Sequence, residues 1–410
     1  SRNQKLEILR SNKSIININW KSIMPDKNND WINQRDEKYE LYTSMYDKND
    51  IENSIYLDQL TGVYSGRDVW VSGFSKSNSI NNAKQLVENY SFELERLSNI
   101  IDPKERIAQV NKDESFISWT TGLFQNFAKG KSLNLVENRV IKYMYRPFTK
   151  KWIVFDKEIL ERPSRYYDIV GETGKNIYIQ GQGMNKPFSV LITEFVPSLQ
   201  FNGNGKGFPM YRGTDSLGKI DNISTSFKNK VNLNSDEVVF YVYAVLNSKE
   251  YLEKYASDLN KAFPRIPLLK HKEKYVEIGR KLADLHLNYE DVPAYDGVNI
   301  DFKSDNPSFK VKKMKHPKRG QMDTIIFNED IVITDIPERA YEYVVNGKPA
   351  IEWIIDQYQV KKDKKSGIVD DPNEFSDNPK YIFNLLLSII NVSMQTMDLV
   401  ESLPPLEIIE

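Results

Sequence analysis

The stretch "KYMYRPFTKKWIVFDKEILERPSRYY" (residues 142–167) mixes aromatic, apolar and basic side chains in short runs. The spacing of its rings favours partial burial in an extended structure, so most of them are expected in a core. These rings belong to Tyr143, Tyr145, Phe148, Trp152 and Phe155. Arg146 and Arg162 each precede a proline, which favours extended backbone. Together with Arg165, these arginines have two possible roles: they donate hydrogen bonds to loop carbonyls and so support the fold, or they contact phosphates. We interpret the stretch mainly as the scaffold of a β-rich unit.

Upstream of this scaffold the chain reads as helical, and downstream it reads as β-rich and then helical again. Apolar residues on one face predict helices over residues 81–98 and 113–127, after a strand at "SIININW" (14–20). Short apolar runs separated by Gly, Asn and Pro from residue 138 predict strands and loops, and a long apolar helix is predicted over 378–403. The expected fold class is α+β, with a helical connecting segment, a β-rich, loop-rich domain and closing C-terminal helices.

Composition and charge exclude several classes of protein. The 410 residues carry a formal net charge of −1, so the global charge indicates no partner, although a local patch can still be strongly basic. The absence of cysteine excludes disulfides and thiolate zinc sites, and only three histidines (His271, His286 and His316) are available, so no metal site is predicted. No apolar run has the roughly 18–20 residues that span a bilayer, and no apolar leader is present. A cytoplasmic protein with no membrane partner is expected.

Three segments are similar to catalytic or cofactor-binding motifs but lack the neighbouring residues or elements that those motifs need. "GETGKN" (171–176) lacks the spacing and the Ser or Thr of a phosphate-binding loop. "NGNGKGFP" (202–209) has no apolar strand before it and no helix after it, so a dinucleotide site is excluded and a mobile, Asn-rich surface loop is predicted. "NPSF" (306–309) is similar to an adenine methyltransferase motif, but its polar approach favours a turn over a buried strand. The sequence therefore predicts no catalytic residue.

Two regions carry side chains suited to a polyanion. The run "KVKKMKHPKRG" (310–320) contains Lys310, Lys312, Lys313, Lys315, Lys318 and Arg319 without an acid, and the mutual repulsion of these cations falls beside a phosphate backbone. The loops of residues 201–230 supply Asn202, Asn204, Lys206, Arg212, Lys219, Lys228 and Lys230 against two acids, and their amide and hydroxyl groups suit base edges as well as turns. A further run, "KKDKKSG" (361–367), is interpreted mainly as plain solvated surface.

Several long segments resemble one family, the single-polypeptide Type ISP restriction-modification enzymes, in their C-terminal part. The matching segments are "WKSIMPDKNNDWINQRD" (20–36), "TGVYSGRDVWVSGFSK" (61–76), "ISWTTGLFQNFAKGK" (117–131), "YRPFTKKWIVFD" (145–156), "ERPSRYY" (161–167), "GFPMYR" (207–212), "YVYAVLNSKEYLEKYASDLNKAFPRIPL" (241–268) and "IPERAYEYVVNGKPAIEWIIDQYQVKKDKKSGIVDDPN" (336–373). They cover nearly the whole chain in the expected order. The family usually continues "YRPF" with Asp and then Arg before Trp, whereas this chain has Thr149 and Lys151.

The resemblance implies a fragment of a longer enzyme. Residues 1–22 would be the C-terminal edge of an adenine-specific methyltransferase, residues 23–135 an extension with connecting helices, and residues 136–410 the target recognition domain. The implied function is recognition of a double-stranded DNA sequence, which directs adenine methylation and ATP-dependent restriction by upstream domains of the same polypeptide. S-adenosylmethionine, ATP and Mg²⁺ are implied for the complete enzyme, and no cofactor is expected in this chain. Whether the chain is itself an enzyme stays open.

Three other functions remain possible at this point. A structural coupler between methyltransferase and motor would have little DNA affinity of its own. A self-contained methyltransferase built on the 306–309 motif would bind S-adenosylmethionine and would need a buried strand before Asn306. A specificity domain from another fused class, such as a Type IIG enzyme, has the same composition and differs only in the length of the native gene product.

Overall fold

The computed structural model describes residues 2–27, 29–32, 34–135, 139–169 and 171–409. The α-helices are α1 (Arg2–Asn12), α2 (Asp68–Val71), α3 (Lys76–Arg96), α4 (Pro103–Ala108), α5 (Thr121–Ala128), α6 (Thr225–Val231), α7 (Ser235–Asn247), α8 (Lys249–Lys254), α9 (Ala256–Leu259), α10 (Lys272–Leu287), α11 (Ala350–Gln357) and α12 (Tyr381–Glu401). The β-strands are β1 (Thr43–Ser44), β2 (Leu60–Thr61), β3 (Ser72–Gly73), β4 (Val140–Arg146), β5 (Thr149–Val154), β6 (Asn176–Ile179), β7 (Val190–Thr193), β8 (Lys206–Pro209), β9 (Tyr211–Asp215), β10 (Gly218–Asp221), β11 (Arg265–Ile266), β12 (Asn299–Phe302), β13 (Ile325–Ile326), β14 (Ile331–Thr334), β15 (Val344–Val345), β16 (Lys348–Pro349), β17 (Lys361–Lys362) and β18 (Val369–Asp370).

Two antiparallel sheets form the centre of the fold. One has the strand order β2-β8-β6-β7, and the other has the order β3-β5-β4. The segment 196–199 joins them, because Met144 of β4 donates its N–H to Val196 O (2.9 Å) and Val63, just after β2, donates to Pro197 O (2.9 Å). The combination of twelve α-helices with several small antiparallel sheets in the described residues confirms the α+β class.

Three buried apolar clusters support these sheets. The first lies between the four-stranded sheet and helices α7 and α10, the second surrounds α11, α12 and β14, and the third lies between α3, α5 and the β4–β5 pair. Helix α7 is buried on every side from Val238 to Leu246, as expected of a helix that is apolar all round. Helix α12 has the length and hydropathy of a membrane span, but 61% of its apolar window is buried inside the protein, so it serves as a core helix.

Helices α7 and α10 cross at a glycine. A Cβ atom added to Gly279 of α10 would lie 2.0 Å from the carbonyl oxygen of Phe240 and 3.0 Å from the Cβ of Ala244. Glycine in a helix interior is about 1 kcal/mol less favourable than alanine, so helix propensity does not explain why a glycine stands at position 279. The close approach of the two backbones does.

The stretch 142–167 is scaffold, as predicted. Tyr143 and Phe148 are each 2% exposed and Phe155 is fully buried, while β4 and β5 form a hairpin whose turn places Phe148 at a φ of 55°. Edge-to-face aromatic contacts hold this turn in place, because Phe148 packs against Tyr289 and Tyr343 at centroid distances of 5.3 and 6.0 Å. The hairpin is therefore joined to the second apolar cluster as well as to the third.

Two predictions about local structure are wrong. "SIININW" forms a short 3₁₀ turn at Ile15–Asn17 and no strand, because none of the described strands pairs with it, and Ile16 and Trp20 stay 90% and 67% exposed. The helix predicted over 113–127 is confined to α5, since Thr120 caps the N–H of Leu123 and starts the helix there. The predicted domain boundary between residues 135 and 136 adjoins residues 136–138, which lie outside the described residues.

Candidate nucleic-acid interface

Asn202 lies in the interior and does not fit the predicted position of a base-reading side chain. Its side chain has no exposed surface, and its Nδ2 donates to the carbonyl oxygens of Ser189 (2.9 Å) and Tyr178 (3.3 Å). Its Oδ1 lies 2.8 Å from the Ser189 hydroxyl. The prediction of a mobile 202–209 loop is wrong for the same reason, because residues 206–209 form β8, which lies between β2 and β6.

Replacing Asn202 by alanine should destabilise the fold and leave DNA binding by the folded protein unchanged. Loss of the amide leaves buried carbonyl groups without donors, which costs about 2–3 kcal/mol in the free energy of unfolding. Urea unfolding and DNA titration of the same preparation measure both quantities. Asn49→Ala is the matched control, since Asn49 is exposed and lies outside the segments that carry the DNA-binding candidates. Normal stability with lost DNA affinity in Asn202→Ala would contradict the structural role.

The neighbouring candidates differ in accessibility. Asn204 is exposed and its Oδ1 accepts a 2.5 Å hydrogen bond from Gln200. Lys206 is half-buried in β8, its Nζ donates to Thr61 Oγ1 at 2.8 Å, and burial lowers the pKa of this ammonium. A lysine held in this way is a weak partner for a phosphate, because it already has a hydrogen-bond acceptor and is partly shielded from solvent.

Strands β9 and β10 form a projecting hairpin, the β9–β10 hairpin (residues 211–221), that carries Arg212 and Lys219 on its exposed surface. The Lys219 ammonium lies 4.9 Å from the centre of the Tyr211 ring. Helix α6 follows, where Lys230 is exposed and lies 3.3 Å from Thr43 Oγ1.

Lys228 anchors the base of the β9–β10 hairpin. Its Nζ lies 2.6 Å from a carboxylate oxygen of Asp221. Burial alone would raise the pKa of the Asp221 carboxyl, but hydrogen bonds from Lys228, Ser235 and the Ile223 N–H outweigh it and lower that pKa. The anchor is therefore formed above the pKa of an unfolded aspartate and is lost as pH falls through the lower folded value.

The segment 310–319, here the lysine segment, has a fixed backbone and free side chains. Val311 and Met314 are buried, and Asn373 holds Val311 through one donated and one accepted hydrogen bond of 2.8 and 2.9 Å. His316 lies 2.6 Å from a Glu352 carboxylate oxygen. The predicted cations all have exposed side chains, and within the described ranges none of them forms an ion pair: Lys310, Lys312, Lys313, Lys315, Lys318 and Arg319.

The structure brings the second basic run beside the first. The N–H of Val360 donates to the Lys312 carbonyl at 3.0 Å, so the β17–β18 hairpin starts at the lysine segment. Lys362 and Lys364 of this hairpin are exposed. The interpretation of 361–367 as plain surface missed this contact, because about 50 residues separate the two runs in the chain. We call the lysine segment with Lys362 and Lys364 the basic surface.

The arginines of the scaffold differ in their contacts. Arg146 donates to the Tyr145 carbonyl at 2.7 Å, and Arg165 forms a two-point ion pair with Asp58 at 2.5 and 2.7 Å. Arg162 is exposed, with its guanidinium 5.7 Å from the Tyr64 ring centre. Arg165 thus joins its segment to the loop before β2, whereas Arg146 bonds to the carbonyl of its own neighbour in β4. In the described ranges, no group of three or more His, Asp or Glu side chains is arranged to hold a metal ion.

A family model of the Type ISP C-terminal specificity domain matches residues 54–385, which is most of the chain. The chain belongs to this family. The resemblance noted from the quoted segments is therefore confirmed. A comparison with curated protein sequences gave no match.

Solved structures of Type ISP enzymes have the same fold. A nuclease-deletion mutant of the Type ISP restriction-modification enzyme LlaGI, in complex with a DNA substrate mimic, is 48% identical with a TM-score of 0.87, and the match covers 100% of this chain and 32% of the mutant chain. The ATP-dependent Type ISP enzyme LlaBIII bound to DNA is 40% identical with a TM-score of 0.85, covering 100% and 27%. A DrdV–DNA complex shares the fold at 24% identity and a TM-score of 0.81, covering 98% and 42%. The chain spans about a third of the length of the first of these chains.

Two lysines of this Type ISP domain are buried where a basic residue would be expected at the surface. Lys151, at one of the two departures from the family pattern, is 8% exposed and forms a 2.6 Å ion pair with Asp370. Lys150 is 7% exposed and pairs with Glu290 at 2.7 Å. Both lysines connect β5 to distant parts of the chain, Lys151 to β18 and Lys150 to the segment that follows α10.

Proposed function

We propose that this chain is the double-stranded DNA recognition module of a Type ISP restriction-modification enzyme. The observation that carries the proposal is the family match over residues 54–385. Two solved relatives that cover the whole chain at 40–48% identity were determined with DNA or a DNA mimic, which supports the same partner here.

In this proposal the basic surface and the β9–β10 hairpin contact different parts of the DNA. The lysine segment and the adjoining Lys362 and Lys364 contact phosphates and fix the register of the protein on the duplex. Side chains of the β9–β10 hairpin, with Arg212 and Lys219, and the exposed Asn204 reach toward base edges, and Lys230 adds a further cation beside them. The fixed backbone of the lysine segment reduces the entropy lost on binding, because only the side chains remain to be ordered.

The complete polypeptide supplies the chemistry. In this proposal residues 1–22 end an adenine-specific methyltransferase, residues 23–135 connect it to the recognition domain, and residues 136–410 choose the site. The upstream methyltransferase uses S-adenosylmethionine on a flipped adenine, and an ATPase and a nuclease use ATP and Mg²⁺ in restriction. The enzyme acts in the cytoplasm, where invading DNA arrives.

A coupling role is a second candidate, and exposed apolar residues favour it. Within residues 15–32, Ile16, Trp20, Met24, Trp31 and Ile32 are 59–90% exposed. A series of this kind marks a contact with another protein surface. In this version the chain transmits site occupancy to the motor, and its own DNA affinity is low.

Selection from a randomised duplex pool tests these candidates. The 410-residue chain is incubated with the pool, bound DNA is sequenced, and affinity is measured across salt concentrations. We expect an enriched asymmetric motif and a log–log salt slope of about −0.9 for each phosphate contacted. Salt-dependent binding without a motif would assign specificity to the missing methyltransferase, and no binding would favour the coupling role.

A further inference from the structure

The turn of the β9–β10 hairpin displays a leucine to solvent. Leu217 is 95% exposed, which is the highest value among the large apolar side chains of the described ranges. Asp215 and Gly218 are paired, so Ser216 and Leu217 form a two-residue turn at the far end of the hairpin. Such turns favour Asn, Gly and Asp, and a leucine there gains nothing from the fold because it contacts almost none of it.

The hairpin holds this side chain on a rigid base. Asn222 is fully buried just after β10, and its Nδ2 donates to the carbonyl oxygens of Asp58 (3.0 Å) and Pro209 (2.8 Å). At the other strand, Tyr211 donates its N–H to Thr173 O at 3.1 Å. The hairpin therefore projects from a fixed origin, whereas all residues from 214 to 219 are exposed.

The surroundings of Leu217 suit a nucleic-acid groove better than a protein surface. Arg212 on β9 and Lys219 on β10 place one cation on each strand of the hairpin. A two-stranded ribbon fits the major groove of B-DNA, which is about 12 Å wide, and cations along its edges face the phosphates on either side. The apolar group that the major groove offers to such a turn is the C5-methyl of thymine.

We propose that Leu217 contacts the C5-methyl group of a thymine in the recognised sequence, with the β9–β10 hairpin in the major groove. The inference rests on the proposed function and adds to it one specificity-determining residue and the base feature that this residue reads. Arg212 and Lys219 position the hairpin, and the leucine supplies discrimination against bases that lack the methyl group.

Replacing thymine by uracil removes only this methyl group, so it tests the contact directly. The 410-residue chain first selects its motif from a randomised duplex pool, and each thymine of the motif is then replaced singly by uracil. We expect one position at which the native chain binds about fourfold more weakly, the value of one buried methyl-sized group. Leu217→Ala should bind the thymine and uracil duplexes equally at that position.

Leu41→Ala is the matched control, because Leu41 is 73% exposed and lies on a different part of the surface. It should keep the fourfold preference for thymine, and both variants should unfold at the same temperature as the native chain. The proposal is overturned if no uracil substitution weakens binding or if Leu217→Ala keeps the preference. Failure to select any motif would instead overturn the proposed function, and the inference with it.

Discussion

Replacing four cations of the lysine segment by glutamine should weaken DNA binding by about a thousandfold at 0.15 M salt. The variant carries Lys310→Gln, Lys312→Gln, Lys313→Gln and Lys315→Gln. Each phosphate contact contributes about 0.9 to the log–log salt slope, so losing four makes the slope about 3.6 less negative. Between 1 M and 0.15 M salt, about 0.8 of a decade, that difference amounts to roughly three decades of affinity.

The loss should be uniform across DNA sequences, because phosphate contacts carry no base information. Fluorescence titrations of the selected duplex and of an unrelated duplex, each at several salt concentrations, measure the slope and the specificity ratio. The stability of the fold should change little, since the four side chains are exposed and lack acidic partners among the described residues.

A second variant separates local contacts from net charge. It replaces four other exposed lysines by glutamine, namely Lys48, Lys104, Lys112 and Lys129, and so changes the net charge by the same amount. Its affinity should fall by much less than a thousandfold. If both variants lose affinity equally, the loss comes from the lower net charge, and the lysine segment does not contact the phosphates directly.

Gly279→Ala should destabilise the chain by about 2 kcal/mol. The added Cβ would lie 2.0 Å from Phe240 O and 2.7 Å from the Phe240 carbonyl carbon, and both are backbone atoms that a rotamer change does not move. Helices α7 and α10 must therefore separate, and α7 is buried on every side from Val238 to Leu246. Overpacking of this kind costs about 1–3 kcal/mol or more, which outweighs the gain of about 1 kcal/mol in helix propensity.

The sign of the change in stability shows whether the close helix crossing or helix propensity dominates at position 279. Propensity alone predicts a stabilised variant, whereas the close crossing predicts a lower urea midpoint and a lower thermal midpoint. Asp284→Ala, at an exposed position of the same helix, is the matched control and should change stability by less than about 0.5 kcal/mol. A higher midpoint for Gly279→Ala would contradict the crossing.

Local patterns predicted the scaffold and part of the site. The aromatic spacing of 142–167 indicated an extended scaffold with most rings buried, and the structure confirms it because alternation along a strand directly sets which side chains face inward. The same reasoning failed for "SIININW", since an alternating segment becomes a strand only if another strand pairs with it. For the site, the uninterrupted charge of 310–319 indicated exposure correctly, because six unpaired cations are too costly to bury together.

The remaining part of the site depends on residues far away in the chain. Asn202 and Asn204 stand two positions apart in one glycine-rich segment, yet one is enclosed and the other is exposed. Ser189 and Tyr178 decide this difference, and neither is near in sequence. Glycine-rich composition suggested a loop, whereas pairing with β2 and β6 made residues 206–209 a central strand.

The sequence by itself determined the family, the fold class and the presence of a cationic segment, because these follow from motif order, apolar periodicity and uncompensated charge. Only the tertiary structure decided which basic residues are free. Lys150 and Lys151 are buried against Glu290 and Asp370, whereas Lys312 is exposed beside a second basic run. Exposure and ion pairing depend on long-range contacts, and a lysine carries the same charge in the sequence whether or not the fold places a carboxylate beside it.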